Sequence, residues 1–411
     1  MGDPTYLSNW VTNYLCVRPN TPVNYEGRPW MPAIFDTNER FKMLKTSRQV
    51  GKSTAGCGLA TAHMAMKPYF NVLYVAPVRD QARKFSYQKV TPMIEGSPLL
   101  QRRMGGIDNV HEKKFNNGSK YFLLYAKHNP DSARGPTADF VHYDEVQDQD
   151  IFEISPVIDE ALTNSEYKFR LYSGTPKSFS NPSHYLWQDT DQREWIINCE
   201  GCSRGINVGV RNIGKKGPVC HHCGKLLDIS NGQWVKHNPG AKIAGFHVNQ
   251  LHLGVMTRSQ EDWDEMLHKF ETYEDWRFLN EVMGMAADTA DVPITEAMIR
   301  NCCDPSVVID PKPLADYMGT PLYAGIDWGH GDAATVISIG QFHEGKFRYL
   351  FIKKFEGQAT DPKYCVPKIV KILKDWRVKK VHCDYGGGFG LNERIRDELG
   401  RRKTTTNCWS G

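Results

Sequence analysis

The chain has 411 residues, enough for two or three domains, and its 40% hydrophobic content is sufficient for ordinary globular cores. Its longest apolar runs, such as Tyr69 to Val78, are too short to cross a bilayer, and residues 1–20 lack the basic-then-apolar pattern of a secretory leader, so export and membrane insertion are excluded as readings. The 51 basic and 47 acidic side chains cancel to a formal +4, so any DNA groove must come from local clustering rather than from total charge.

There is no internal repeat and no low-complexity tract. Up to about residue 190, apolar runs (Phe41 to Leu44, Asn71 to Ala76, Lys120 to Tyr125, Asp139 to Tyr143, Phe169 to Tyr172) alternate with longer polar or helical stretches, which predicts an α/β fold with a mostly parallel sheet. Cysteines and glycines dominate residues 195–230, a Trp-rich charged stretch from Glu261 to Glu281 predicts helix, and Asp304 to Pro321 reads as a linker. A new block of strands opens at Tyr323. The divisions expected are therefore 1–190, 195–230, 231–318 and 319–411.

The first strand runs into Thr46, Ser47, Arg48, Gln49, Val50, Gly51, Lys52, Ser53 and Thr54, followed by small, helix-compatible residues. Backbone N–H groups of such a loop wrap nucleotide phosphates at a helix N-terminus, the lysine reaches the terminal phosphates, and the hydroxyl of Ser53 holds magnesium. Thr46 stands where the usual pattern has its first glycine, so the pattern taken alone also allows a chance match. The strand Phe140 to Tyr143 then delivers Asp144, placed to hold magnesium through water, and Glu145, placed to activate the attacking water. A further strand ends in Ser-Gly-Thr-Pro, where Ser173 and Thr175 are candidate sensors of the terminal phosphate. Pro29 to Phe35 is expected near the nucleotide base.

The segment SRQVGKST resembles the deviant phosphate loop of phage terminase large subunits, which tolerate a non-glycine first position and carry an arginine inside the loop. YVAPVRDQARKF, SARGPTADFVHYDE, SGTP, GFHVNQL and FLNEVMG are also similar to terminase segments, in the terminase order, so the resemblance spans most of the chain. It implies that Arg48 is an arginine finger in cis, against the plain reading of an exposed loop arginine. It also implies ATP as substrate and double-stranded DNA, a portal protein and a small terminase subunit as partners. By the same resemblance, a homo-oligomeric ring would act on a procapsid in the cytoplasm of an infected bacterial host, with no membrane involved.

Eleven cysteines include two C-x-x-C pairs, Cys199/Cys202 and Cys220/Cys223; the rest are scattered, which suggests a reducing compartment. The pairs are spaced to present four thiolates to a structural Zn2+ in a zinc ribbon, with Gly201 and Gly224 in the turns and VGVRNI as an intervening strand. His221 or His222 is an alternative ligand. Arg204, Arg211, Lys215, Lys216 and Lys225 either meet DNA phosphates or form a solvated basic surface.

In the last block Asp327 ends one strand and Asp384 another, in the order strand, strand, strand, helix, strand, which resembles the ribonuclease H-like nuclease domain of terminases. Paired carboxylates would bind Mg2+ or Mn2+ for phosphodiester cleavage. The family's third acid, expected near the domain's end, has no counterpart here. Asp332 is a weak substitute, GRRKTTTNCWSG shows no compact terminus, and the nuclease is expected to lack its C-terminal part and to cleave poorly. The alternative functions are an ATP-dependent helicase or remodelling enzyme with a non-catalytic C-terminal clamp, and a zinc-ribbon DNA adaptor with a decayed nucleotide site.

Overall fold

Strands Phe41–Thr46, Phe169–Gly174, Phe140–Asp144, Val72–Ala76 and Lys120–Tyr125 lie side by side in that order, all parallel. Every residue of Val72–Ala76 and Phe140–Asp144 is buried, as befits strands covered on both faces. The computed structural model describes residues 6–288, 296–303, 320–329, 334–355, 361–384, 389–400 and 404–407. The chain divides into two units, Met1–Glu296 and Ala297–Gly411.

The sheet of the first unit has eleven strands and does not end near residue 190. Ala244–Val248 pairs in parallel with Phe41–Thr46, and Arg193–Asn198 extends the sheet beyond it. The expected division at about residue 190 is thus no break in the sheet. Both added strands are short and carry polar residues such as Glu194 and His247, so no long apolar run announces them. The charged stretch from Glu261 to Glu281 is two helices, Gln260–Thr272 and Asp275–Glu281, rather than one; Ser259 caps the first by accepting from Asp262 N–H. The segment VGVRNI is not a strand. Val210–Asn212 forms a 3-10 turn, because the buried Asn212 side chain accepts from Gly209 N–H (3.0 Å) and donates to the Val219 carbonyl (2.8 Å).

In the second unit a five-stranded sheet runs Lys346–Phe355, Thr335–His343, Tyr323–Asp327, Lys380–Asp384, Thr404–Asn407. The first three are antiparallel and the last two join in parallel. Helix Pro362–Asp375 contributes Cys365, Val366, Ile369 and Leu373 to a core with Ile326, Ile337 and Val381. Thr404–Asn407 is a strand within a segment that read as having no compact structure; three consecutive threonines suit a pleated surface. The predicted linker lies almost wholly outside the described residues, as does Asp332.

The helix after the phosphate loop, Lys52–Met66, is built of small residues and packs closely on the sheet. Gly56 sits over the fully buried His142 ring, whose Cε1 is 2.3 Å from where a Cβ on Gly56 would stand. Overpacking of this kind costs roughly 1–3 kcal/mol. Gly56→Ala is therefore expected to lower the thermal midpoint by several degrees, and an unchanged midpoint would show that the helix is free to lift off the sheet.

Candidate functional site

The strand Phe41–Thr46 hands the chain to a loop with two left-handed residues, Gln49 (φ 64°) and Gly51 (φ 102°), which caps helix Lys52–Met66. Alternation of right- and left-handed backbone turns successive N–H groups towards one point, and the helix dipole adds positive potential there. The loop's first amides are spent on anchoring instead. Ser47 N–H donates to the Val248 carbonyl (2.9 Å) and Arg48 N–H to the Glu281 carbonyl (3.0 Å). Gln250 Nε2 holds the Arg48 carbonyl at 3.1 Å, and Gly284 (φ 62°) packs so closely that a Cβ there would lie 2.6 Å from the Ser47 nitrogen.

A cleft of about 820 Å³ opens over this loop. Of the eleven residues assigned to nucleotide binding from sequence, Arg48, Gln49, Gly51, Lys52, Ser53, Thr54 and Thr175 line it, and so does Glu145. Thr46 and Ser47 are buried beneath the loop and do not reach the cleft. Lys52 Nζ lies 3.0 Å from Glu145 Oε1 and 3.5 Å from Thr175 Oγ1. Arg48 is largely exposed and its Nη1 lies 3.8 Å from Glu281 Oε1. The Pro29 to Phe35 segment passes beside the loop: Met31 Cε lies 3.3 Å from the Cβ position of Gly51.

Asp144 is buried at the strand end, where Oδ2 accepts from Tyr74 O–H (2.9 Å) and Oδ1 from Ser173 O–H (2.6 Å). Two donors orient this carboxylate and leave each oxygen a second lone pair, which suits a group that holds a hydrated cation, although Asp144 itself is not among the residues that line the cleft. Ser173 is fully buried and committed to Asp144 and His142, so it does not face the cleft as a phosphate sensor would. Tyr74 and His142 were missed from sequence; a tyrosine or histidine inside an apolar strand carries no mark of the carboxylate it meets on the next one. Gln147, Asn280 and Glu281 also line the cleft, the last two brought there by helix Asp275–Glu281.

The four paired cysteines converge, with all Sγ atoms within 4.8 Å of one another. Cys199 and Cys223 are 3.6 Å apart and Cys202 and Cys220 3.7 Å, against about 3.8 Å for sulfurs on a tetrahedral zinc. Each pair forms the same turn. Ser203 N–H donates to the Cys199 carbonyl and Cys199 N–H to the Arg204 carbonyl, and Gly224, Cys220 and Lys225 repeat this. Gly201 leaves little room for a side chain, since a Cβ there would lie 3.0 Å from Cys223 Sγ. His221 and His222 stand outside the cluster, beside Asn212 and Arg204. Lys225 pairs with Glu200, which removes it from the free basic surface.

In the second unit, Asp327 and Asp384 end neighbouring parallel strands whose register runs to Ile326 opposite Cys383. Asp327 is exposed and Asp384 half-buried. Asn392, on helix Phe389–Leu399, ties the two strand ends: its Oδ1 accepts from Trp328 Nε1–H (2.7 Å) and its Nδ2 donates to the Asp384 carbonyl (2.8 Å). Nothing in the sequence distinguished this asparagine from an ordinary helix residue.

A family model described as the phage terminase large subunit gpA, ATPase domain, matches residues 21–238. Among solved structures, the large terminase of bacteriophage HK97 is similar over 100% of this chain and 86% of its own, at 16% identity and a TM-score of 0.56. The Thermus phage P74-26 large terminase ATPase domain covers 62% of this chain and 92% of its own, at 17% identity and a TM-score of 0.40. A large terminase from a thermophilic bacteriophage, solved in complex with ADP, covers 90% and 83%, at 11% identity and 0.38. No curated protein matches the sequence.

The buried polar chain beneath the cleft makes stability depend on pH. Because Ser173 donates to Asp144, His142 Nε2–H must donate to Ser173 (2.8 Å), leaving Nδ1 bare and without a partner. Burial, opposed in part by Asp144, lowers the His142 pKa from 6.5 to about 4, and burial lowers that of His252 to about 3. Between these values and 6.5 the unfolded chain binds protons that the folded one refuses, so stability is full above pH 7 and falls with pH, by on the order of 3 kcal/mol for His142 alone. Denaturant midpoints should drop between pH 7 and 5; a flat profile would mean that these rings protonate without unfolding.

Proposed function

Since the chain belongs to the phage terminase large subunit family, we propose that its first unit is the ATPase motor that drives double-stranded viral DNA into a procapsid. The observation that carries this reading is the convergence of Lys52, Glu145 and Thr175 in the cleft that the loop from Arg48 to Thr54 lines. In this reading Lys52 takes the terminal phosphates, Glu145 orients and deprotonates the attacking water, and Arg48 swings from Glu281 to the transferring phosphoryl group. Ser53 and Asp144 would hold Mg2+, which supplies charge neutralisation when bound. Thr175, not Ser173, meets the phosphate.

We assign Zn2+ to Cys199, Cys202, Cys220 and Cys223 as a structural ion, because four thiolates leave no open position for substrate. In the second unit we assign a ribonuclease H-like fold, with Asp327 and Asp384 as carboxylates for divalent ions that cut concatemeric DNA. A portal protein, a small subunit and a ring of identical chains complete the machine in the cytoplasm of the infected host. No described helix is long and apolar enough to cross a membrane.

The test is ATP hydrolysis by wild type, Lys52→Ala and Glu145→Ala, with and without double-stranded DNA at stated salt. Both variants should lose at least about a hundredfold in kcat, with Glu145→Ala still binding ATP. Turnover retained in both would sink the assignment. The wild-type protein should also carry one zinc per chain by metal analysis, and Cys220→Ser should lose it together with thermal stability. Zinc-free wild-type protein would refute the ribbon.

A further inference from the structure

Gln147 sits in the 3-10 turn Val146–Asp148, immediately after the left-handed Glu145 (φ 53°). Its side-chain amide touches two parts of the site at once. Nε2 donates to Glu145 Oε2 (2.6 Å) and, more weakly, to Asp148 Oδ2 (3.3 Å), while Oε1 accepts from the Thr175 backbone N–H (3.2 Å). The neighbours fix which way the amide points, since a carboxylate only accepts and a backbone N–H only donates. Asn181 Nδ2 pins the Gln147 carbonyl at 2.9 Å, so the turn itself is anchored. Gly174 makes the contact feasible: a Cβ there would lie 2.4 Å from Gln147 Oε1.

Glu145 has two partners among the described contacts, Lys52 and Gln147. A lysine ion pair neutralises a carboxylate and competes with its use as a base. When a triphosphate fills the loop, its oxygens draw Lys52 away, and Gln147 is left holding Glu145. We propose that Gln147 is a positioning residue that ties the Thr175 loop to Glu145, so that the carboxylate stays aimed at the attacking water when Lys52 turns to the terminal phosphate. This rests on the reading of Glu145 as the hydrolytic base. Only an amide of this length donates to the carboxylate and accepts from the backbone together; asparagine is one methylene shorter, and glutamate cannot donate when ionised.

The experiment measures kcat and KM for ATP in full-length wild type, Gln147→Ala, Gln147→Glu and Glu145→Ala, with thermal midpoints for each. Gln147→Ala should lose about 10- to 100-fold in kcat with KM within about threefold, as expected for a group that acts in the transition state. Gln147→Glu keeps the acceptor for Thr175 and so keeps the loop folded, but sets a carboxylate against Glu145, with Lys52 and the Lys177-bound Asp148 as the other charges facing the pair. The acid limb of its kcat profile should move to higher pH, because two touching carboxylates hold a proton between them. A lowered kcat with an unmoved profile would reduce Gln147 to a structural contact and overturn the proposal, as would wild-type kcat in Gln147→Ala. Loss of turnover in Glu145→Ala alongside normal Gln147 variants sinks this link alone; turnover by Glu145→Ala sinks the base with it.

Discussion

A loop that keeps its amides open for an anion cannot use those amides to hold itself in shape. Most tight turns close on their own hydrogen bonds; the Gln49 to Lys52 arc must be held from outside. Here the restraint comes from the carbonyls of Val248 and Glu281, from Gln250 on the Arg48 carbonyl, and from the bare backbone of Gly284 against Ser47. His247 adds to this frame, with Nδ1 2.7 Å from Glu194 and Nε2 2.8 Å from the Met283 carbonyl. Burial, the largest influence, would raise the Glu194 pKa, yet His247, Lys45 and His252 together hold that carboxyl below its usual value.

The same segment reaches the other wall of the cleft. Asn280 Nδ2 donates to the carbonyls of Lys177 and Met285, and Ala287 N–H donates to the Lys177 carbonyl as well. Residues 280–287 therefore bind the phosphate loop on one side and the loop after Thr175 on the other. Displacement of either loop strains contacts to the same short piece of chain. Helix Asp275–Glu281 is short and owes its place to these contacts more than to its own length.

Much of this was legible. The apolar runs marked the five central strands, most clearly Val72–Ala76 and Phe140–Asp144, which are buried along their whole length, and the phosphate loop, the acidic pair and the cysteine pairs were visible as local spacings. What escaped notice was contact between distant segments. Ser173 read as a sensor because it stands near Thr175, but Ser173 is still inside the strand, where Asp144 and His142 of the neighbouring strand take its hydroxyl, whereas Thr175 lies just past the strand's end. Gln147 follows the acidic pair by two residues, yet its contacts with Glu145 and Thr175 depend on the register between two strands. Gly284 touches Ser47, more than two hundred positions earlier, and no pattern in one dimension encodes that. The VGVRNI segment is β-branched and looked like strand until the buried Asn212 amide is seen to reel it into a turn.

The placement of that frame also orders events during synthesis. A ribosome makes the phosphate loop early, but the carbonyls and the glycine that hold it emerge only with residues 248–284. Until then the nascent chain carries the loop's letters without its shape, and the strand that flanks it, Ala244–Val248, has not yet joined the sheet. The contacts that hold the loop are thereby complete only once nearly the whole first unit has left the ribosome.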